Sequence, residues 1–411
     1  MESNEHPLRL MRGRCNLSID TLAQRAGLSA RTVMRAEKGL SIYPSSRALI
    51  CDFFTEILGR LVTSEELGLL VDSGMETDDM DKLRRTLLKQ ALAIPGALAL
   101  SAIDIDRLLA ALAKPSNMNE TNLEHIATIN EHCWRITNTS ELASIDEILP
   151  TYLPHLAATA RQSFKHQREA AAFAAQGYLL AGLVALDRLD FPGMERYSEL
   201  AVEYSKLAGD YNLRAAALKQ QATMFLIAKE PFQALQIYQQ TLPFITKISP
   251  LLRSRVYQGL ADTSARIGQD AEAMRYIGLA YESFPTDFEK DVSFLYADSG
   301  LSVLYMYDGL TYLAIDQPGK AVEAFDKVDG RQPKIVIGET TALEFINLQG
   351  KAAVATRNQE LTRDLIEAAV VKADVLDCRW GRTEAFEVYQ QARLIWPNDV
   401  QVRELAQLFR R

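Results

Sequence analysis

Cysteine is scarce in this chain and what there is lies scattered. The four cysteines among 411 residues are Cys15, Cys51, Cys133 and Cys378, with no CxxC pair. That spacing argues against a disulfide framework or a cysteine zinc site and points to a reducing compartment. The five histidines are no better clustered. His125 and His132 could share a helix face beside Cys133, but no carboxylate completes a ligand set at helical spacing, so no metal is expected. Catalytic signatures are missing as well. There is no GxxxxGK followed by Ser or Thr, no GxSxG, no HExxH and no GxGxxG after a strand. Asp287, Glu289 and Asp291 read as solvated loop carboxylates rather than an acid–base pair. The expectation is a protein that is not an enzyme and carries no cofactor.

Long apolar runs are also lacking. The uncharged stretch from Gln90 to Ile103 is fourteen residues, broken by Pro95 and Gly96, where a membrane span needs about twenty. It follows Arg84-Arg85, which gives LRRTLLKQALAIPGALAL the look of a twin-arginine export signal. Some eighty residues into the chain it cannot act as an N-terminal signal. A buried helix pair or a dimer contact is the expected role, with no membrane. MESNEHPLRL is too polar for a secretory signal, so a cytoplasmic location is expected. Strand-like sequence is nearly absent: beyond Glu120 only IVIG (335–338) qualifies, too short to carry a sheet.

Positive charge is in deficit overall, with a net of −8, but the ends differ. Residues 1–60 hold nine Arg and Lys against six Asp and Glu, a net of +3, and the remainder carries −11. A weakly basic head on an acidic body suits a small nucleic-acid-reading module attached to a domain with another job.

What is present begins with LSIDTLAQRAGLSARTVMRAEKG, residues 17–39. Ser18 can cap one helix, with Leu22, Ala23 and Ala26 forming its buried stripe. Gly27 supplies the turn, Ser29 caps a second helix, Val33 and Ala36 face inward, and Gly39 ends it. A preceding helix runs from Pro7 to about Arg14, with Leu8 and Met11 inside and Arg9, Arg12 and Arg14 free to approach phosphates. After the LSIYPSS loop another helix spans Arg47 to Gly59, and a short one runs from Ser64 to Leu70. VDSGMETDDMDK (71–82) is the best linker.

On the residues Leu17-Ser18, Leu22-Ala23, Ala26-Gly27-Leu28-Ser29, Thr32-Val33 and Glu37-Lys38-Gly39, the head resembles the helix-turn-helix of the Cro/C1 repressor (XRE) family. It departs at Ile19, where that family often has Gln. The resemblance implies sequence-specific binding to a double-stranded DNA operator. Ala30, Arg31, Thr32 and Arg35 would reach base edges, the arginines bidentate to guanine. Ser18, Ser29, Lys38 and Arg47 would hold phosphates. One such motif covers one half-site, so a homodimer is expected, paired through the body.

The body carries a long-period repeat. Asp190, Glu230, Gln269, Gln317 and Asn358 correspond in five turn segments, at spacings of 40, 39, 48 and 41. Ala234, Ala273 and Ala321 follow four positions on, and Tyr238, Ile277 and Phe325 four further. This pattern resembles the tetratricopeptide repeat with a longer period, which implies paired helices stacked into a right-handed superhelix with a concave groove. The expected fold is therefore all-α. An N-terminal helix-turn-helix domain (1–72) leads through a linker and apolar docking helices (73–118) to a tetratricopeptide-like α-solenoid (119–411).

Gln220, Gln258 and Asn347 lie ten or eleven positions before their turn anchors, where amides could hold an extended peptide. Tyr178, Tyr257 and Tyr305 on neighbouring turns could line side-chain pockets. The combination of head and body looks like the RRNPP peptide-pheromone receptors. It implies a transcriptional regulator whose repeat domain senses a peptide or protein ligand in a groove lined by Tyr178, Gln220, Gln258, Tyr305 and Asn347. The alternative is a DNA-associated scaffold whose repeats recruit a partner protein without small-ligand sensing.

Overall fold

The structure is a computed structural model that describes residues 6–40, 42, 44–64, 66–69, 85, 103, 105–113, 117–137, 139, 142–297, 300–329 and 338–410. The linker at 71–82, nearly all of the apolar segment at 84–103 and the IVIG run up to residue 337 lie outside the described residues. Every regular element among the described residues is helical.

The head opens with α1 (Pro7–Arg14), α2 (Ile19–Arg25), α3 (Ala30–Glu37) and α4 (Pro44–Leu58). Local chemistry sets their ends. Ser18 Oγ accepts from the Thr21 amide at 3.0 Å, and Ser29 Oγ from the Thr32 amide at 3.1 Å. Gly27 and Gly39 both take φ near +68°, which closes α2 and α3. Leu8, Leu22, Ala26, Val33, Ala36, Ile50, Phe53 and Phe54 meet in one core. Each fully buried Leu, Val or Phe side chain there is worth about 1.5–3 kcal/mol of transfer free energy. Of the short helix expected from Ser64 to Leu70, the described residues 64 and 66–68 form turns rather than helix. Thr63 Oγ1 takes the Glu66 amide at 3.2 Å, and Gly68 sits at φ +63° with its carbonyl accepting from His6 Nε2 at 3.0 Å.

The connecting segment holds α5 (Ile105–Ala113), and the body follows with α6 (Glu120–Ile136), α7 (Leu142–Ala160), α8 (Gln167–Asp187), α9 (Phe191–Ala208), α10 (Tyr211–Ile227), α11 (Pro231–Gln239), α12 (Pro250–Arg266), α13 (Asp270–Ser283), α14 (Phe294–Ala297), α15 (Leu301–Ala314), α16 (Pro318–Asp329), α17 (Glu339–Ala355), α18 (Gln359–Leu376), α19 (Arg379–Ile395) and α20 (Val400–Glu404). Among the described residues one helix, α8, is long and apolar enough to cross a membrane, and 61% of its most apolar window is buried.

The chain forms two compact units. The first comprises residues 1–133, 144–181 and 196–214, so the head packs together with body helices; the second comprises 134–143, 182–195 and 215–411. Within the second unit each first helix packs on its own second helix, as in α12 with α13, α15 with α16 and α17 with α18. First helices also pack on first helices, α12 on α15 and α15 on α17. This is a stack of helical hairpins.

The five repeat anchors have one structural meaning. Asp190, Glu230, Gln269, Gln317 and Asn358 each stand immediately before the second helix of a pair. The residue before each anchor is left-handed: Leu189 (φ +62°), Lys229 (+62°), Gly268 (+76°), Asp316 (+57°) and Arg357 (+58°). Each anchor amide reaches back five residues, as Asp190 to the Ala185 carbonyl at 2.8 Å and Gln317 to Tyr312 at 2.8 Å. These are five Schellman closures. The 48-residue spacing has a local cause: residues 284–300 insert a 3-10 turn (Phe288–Lys290) and α14 between α13 and α15.

Candidate nucleic-acid interface

On α3 the buried positions are Val33 and Ala36, so Arg31, Met34, Arg35 and Lys38 share the opposite, exposed face. Their spacing of three, four and seven places them in a row along two turns. Ala30 and Thr32 are half-buried at the helix start, with Thr32 Oγ1 2.9 Å from Ser29 Oγ. Met34, 41% exposed between two arginines, was not anticipated; the same spacing that selects Arg31 and Arg35 selects it. A flexible thioether between two guanidinium groups can offer apolar contact beside hydrogen-bond donors. Ser18 and Ser29 are both exposed at helix N-termini, where backbone amides and the helix dipole favour an anion.

Two basic side chains are not where the sequence suggested. Arg47 is 2% exposed, inside the α4 packing, with its pKa lowered by burial. It is withdrawn from any phosphate. Its flanking Ser46 and Ile50 are also buried, because this face of α4 turns inward. Arg12 is not free either. It is engaged by Glu37 at 2.5 Å through Nε and by the Leu17 carbonyl at 2.7 Å through Nη1, and the hydrogen bond to Glu37 raises its pKa. The pair braces α3 against α1.

The expected groove residues do not line a groove. Gln220 is 5% exposed and packs on the backbone at Gly182. Gln258 is fully buried and donates to Ser254 Oγ at 3.2 Å. Asn347 is 1% exposed and donates to the Gly381 carbonyl at 3.0 Å. Tyr305 belongs to the core with Met306, Ala321 and Phe325, its ring 6.3 Å from that of Tyr281. Tyr178, 4% exposed, donates its hydroxyl to Asp52 Oδ2 at 2.9 Å. Asn347 ties α17 to α19 at Gly381, Gln220 packs against Gly182 of α8, and the Gln258 amide turns back onto Ser254 of its own helix. The sequence signal is ambiguous, since polar residues ten positions before a turn can face either the groove or the neighbouring helix.

Asp52 is the polar residue that sequence reasoning passed over. It sits within ICDFF on α4, and a carboxylate in an apolar run needs a buried partner. It has two: the Tyr178 hydroxyl on one oxygen and Arg161 Nη2 on the other. Burial by itself would lower the Arg161 pKa, but the Asp52 carboxylate outweighs it and the guanidinium stays charged. Among the described residues no group of His, Cys, Asp and Glu converges to hold a metal ion.

The chain is similar to a solved structure described as the crystal structure of the APC/C hetero-tetramer Cut9-Hcn1, at 16% identity over 98% of this chain and 81% of that one, with a TM-score of 0.36. No protein-family model and no curated protein matches it.

Proposed function

We propose that the protein is a sequence-specific DNA-binding transcriptional regulator of the XRE type, whose tetratricopeptide-like body engages a protein or peptide partner and pairs two chains. The observation that carries the reading is the exposed row Arg31, Met34, Arg35 and Lys38 on a helix whose two ends are fixed by Ser29 and Gly39. Arg31 and Arg35 supply bidentate donors for guanine, Met34 an apolar contact for a thymine methyl, and Ser18, Ser29 and Lys38 the phosphate contacts. Residues 1–72 form the reading head, 73–118 the connection and 119–411 the body.

The burial of Gln220, Gln258 and Asn347 favours a protein partner gripping the outer surface of the hairpin stack over a pheromone held by that amide row. The scaffold reading therefore stands beside the receptor reading of the RRNPP type, and both keep the DNA-reading head. A cytoplasmic homodimer is part of the proposal.

The test is binding of the full chain to duplexes selected from a randomised library, followed by fluorescence anisotropy across a salt series. Binding that weakens steeply with salt, and an Arg31→Ala variant that loses about 1–3 kcal/mol while relaxing preference at one base position, support the reading. Recovery of no preferred duplex, or an unchanged Arg31→Ala, overturns it. Adding candidate secreted peptides to the wild-type complex separates sensor from scaffold, because a scaffold binds DNA equally well with and without them.

A further inference from the structure

Asp52 belongs to the head by chain and core, since its neighbours Ile50, Cys51, Phe53 and Phe54 pack with Val33 and Ala36 of α3. Its carboxylate, however, is held entirely by body side chains of the same compact unit. Arg161, immediately after α7, binds Oδ1, and Tyr178 of α8 donates to Oδ2 at 2.9 Å. Behind them lies a tyrosine stack. The Arg161 guanidinium lies 4.9 Å over the Tyr204 ring, Tyr204 stacks on Tyr178 at 5.3 Å, and Tyr178 on Tyr197 at 6.3 Å. The Tyr204 hydroxyl donates to the Ala157 carbonyl at 3.1 Å, which ties α9 back to α7. The end of α7 and α8 thus hold one head carboxylate directly, with the tyrosines of α9 stacked behind them.

Two features separate this cluster from ordinary core packing. The first is its chemistry. A buried ion pair specifies one register and gives little net stability over an apolar contact, and once opened its charged partners are well hydrated. An apolar face of the same size would resist opening. The second is that the cluster is incompletely satisfied. Arg161 is 5% exposed, yet its Nε and Nη1 find no hydrogen-bond partner among the described residues. The neighbouring Arg47, with a buried Nε also unpartnered, adds a second buried guanidinium. A site holding unspent donors beside an excess of positive charge is set closer to opening than a fully paired one.

We propose that Asp52, gripped by Arg161 and Tyr178, is a latch through which the packing of α7, α8 and α9 sets the pose of α3, so that a partner deforming those helices releases the head and withdraws paired DNA reading. The proposal rests on the DNA-reading assignment for its consequence, but the latch is a physical contact that can be measured without DNA. It also implies where a regulatory partner acts: on the α7–α9 hairpins rather than on the distal repeats.

The experiment uses the full chain with one fluorophore on an exposed head residue and one on an exposed α9 residue, introduced through unnatural amino acids, in the wild type, Asp52→Asn and Tyr178→Phe. Single-molecule transfer should give one narrow distance population for the wild type, and a broadened or second population in both variants with unchanged far-UV circular dichroism. Tyr178→Phe keeps the ring stack and so guards against a variant that merely unfolds. In parallel, binding is measured to library-selected duplexes carrying one or two half-sites. The latch predicts that the variants lose at least tenfold affinity for two half-sites while one half-site is bound as before. Unchanged distance populations in both variants overturn the latch. Equal losses on one and two half-sites overturn it as well, since Asp52 would then only stabilise the head. If the wild type selects no duplex, the DNA-reading assignment fails, and the distance populations alone decide whether the latch exists.

Discussion

Arg12 and Glu37 are joined across twenty-five residues of sequence, Nε to Oε1 at 2.5 Å and Nη2 to Oε2 at 3.2 Å. The pair ties the last turn of α1 to the last turn of α3, so the helix that presents Arg31 and Arg35 is braced at its C-terminal end. Arg12 also closes the α1–α2 turn through the Leu17 carbonyl. Both side chains are mostly shielded, at 16% and 8% exposure. Arg12→Ala leaves the Glu37 carboxylate without its bidentate partner and is expected to cost roughly 2–3 kcal/mol of head stability. Equilibrium urea unfolding followed through head-localised hydrogen exchange checks this, and a loss below about 0.5 kcal/mol, the scale of an exposed pair, would count against it.

Glycine-to-alanine changes should take opposite signs at two positions in neighbouring helices. A Cβ at Gly259 of α12 would run into the ring of the fully buried Tyr238, whereas one at Gly278 of α13 meets nothing within 4 Å. In an open helix interior the change gains about 0.5–1 kcal/mol, and in a packed contact the overcrowding costs about 1–3 kcal/mol. Gly278→Ala should therefore raise the melting temperature of the full chain and Gly259→Ala lower it. Two shifts of the same sign would contradict the packing of α11 against α12.

The Schellman closures leave four non-glycine residues in the left-handed region, and Arg357 is one of the three that are exposed. At φ +58° its Cβ crowds the following carbonyl. Arg357→Gly removes that crowding and gives back part of the gain to unfolded-chain entropy. The net expectation is a stabilisation of about 0.5–1 kcal/mol, read as a rise in the thermal midpoint. A fall in the midpoint would mean that the arginine side chain contributes more than its backbone costs.

His155 supplies a pH signature. It is 2% exposed, and burial first and the Arg47 charge second pull its pKa down to about 4 from an ordinary 6.5. The unfolded chain thus binds a proton more readily than the folded one. Stability is fully present above pH 6.5 and declines as pH falls from 6.5 toward 4, levelling below that. The slope reaches about 1.4 kcal/mol per pH unit, so the total is roughly 3 kcal/mol. Unfolding of the wild type and His155→Gln across this window should show the variant with the shallower dependence; parallel curves would assign the acid sensitivity elsewhere.

The amino-acid sequence by itself determined the local signals. Ser18, Gly27, Ser29 and Gly39 cap and close two helices through atoms no more than five residues away. The five repeat anchors mark Schellman turns for the same reason: the hydrogen bonds that define them run from each anchor to the carbonyl five residues before it. Val33 and Ala36 facing inward likewise follows from helical periodicity. Tertiary structure decided where the polar side chains on apolar helices go. Nothing within a turn or two of Asp52 indicates that Arg161 and Tyr178 will satisfy it from 109 and 126 residues away. Nothing near Asn347 separates a groove-lining amide from one that ties two helices together. Arg47, by contrast, shares helical spacing with Ile50, Cys51 and Phe54, so its inward face is legible in the sequence and its charge masks it. A cap is a contact within one stretch of chain, so its residues specify it. A buried polar group is settled by whichever distant helix packs against it, and that is a property of the whole fold.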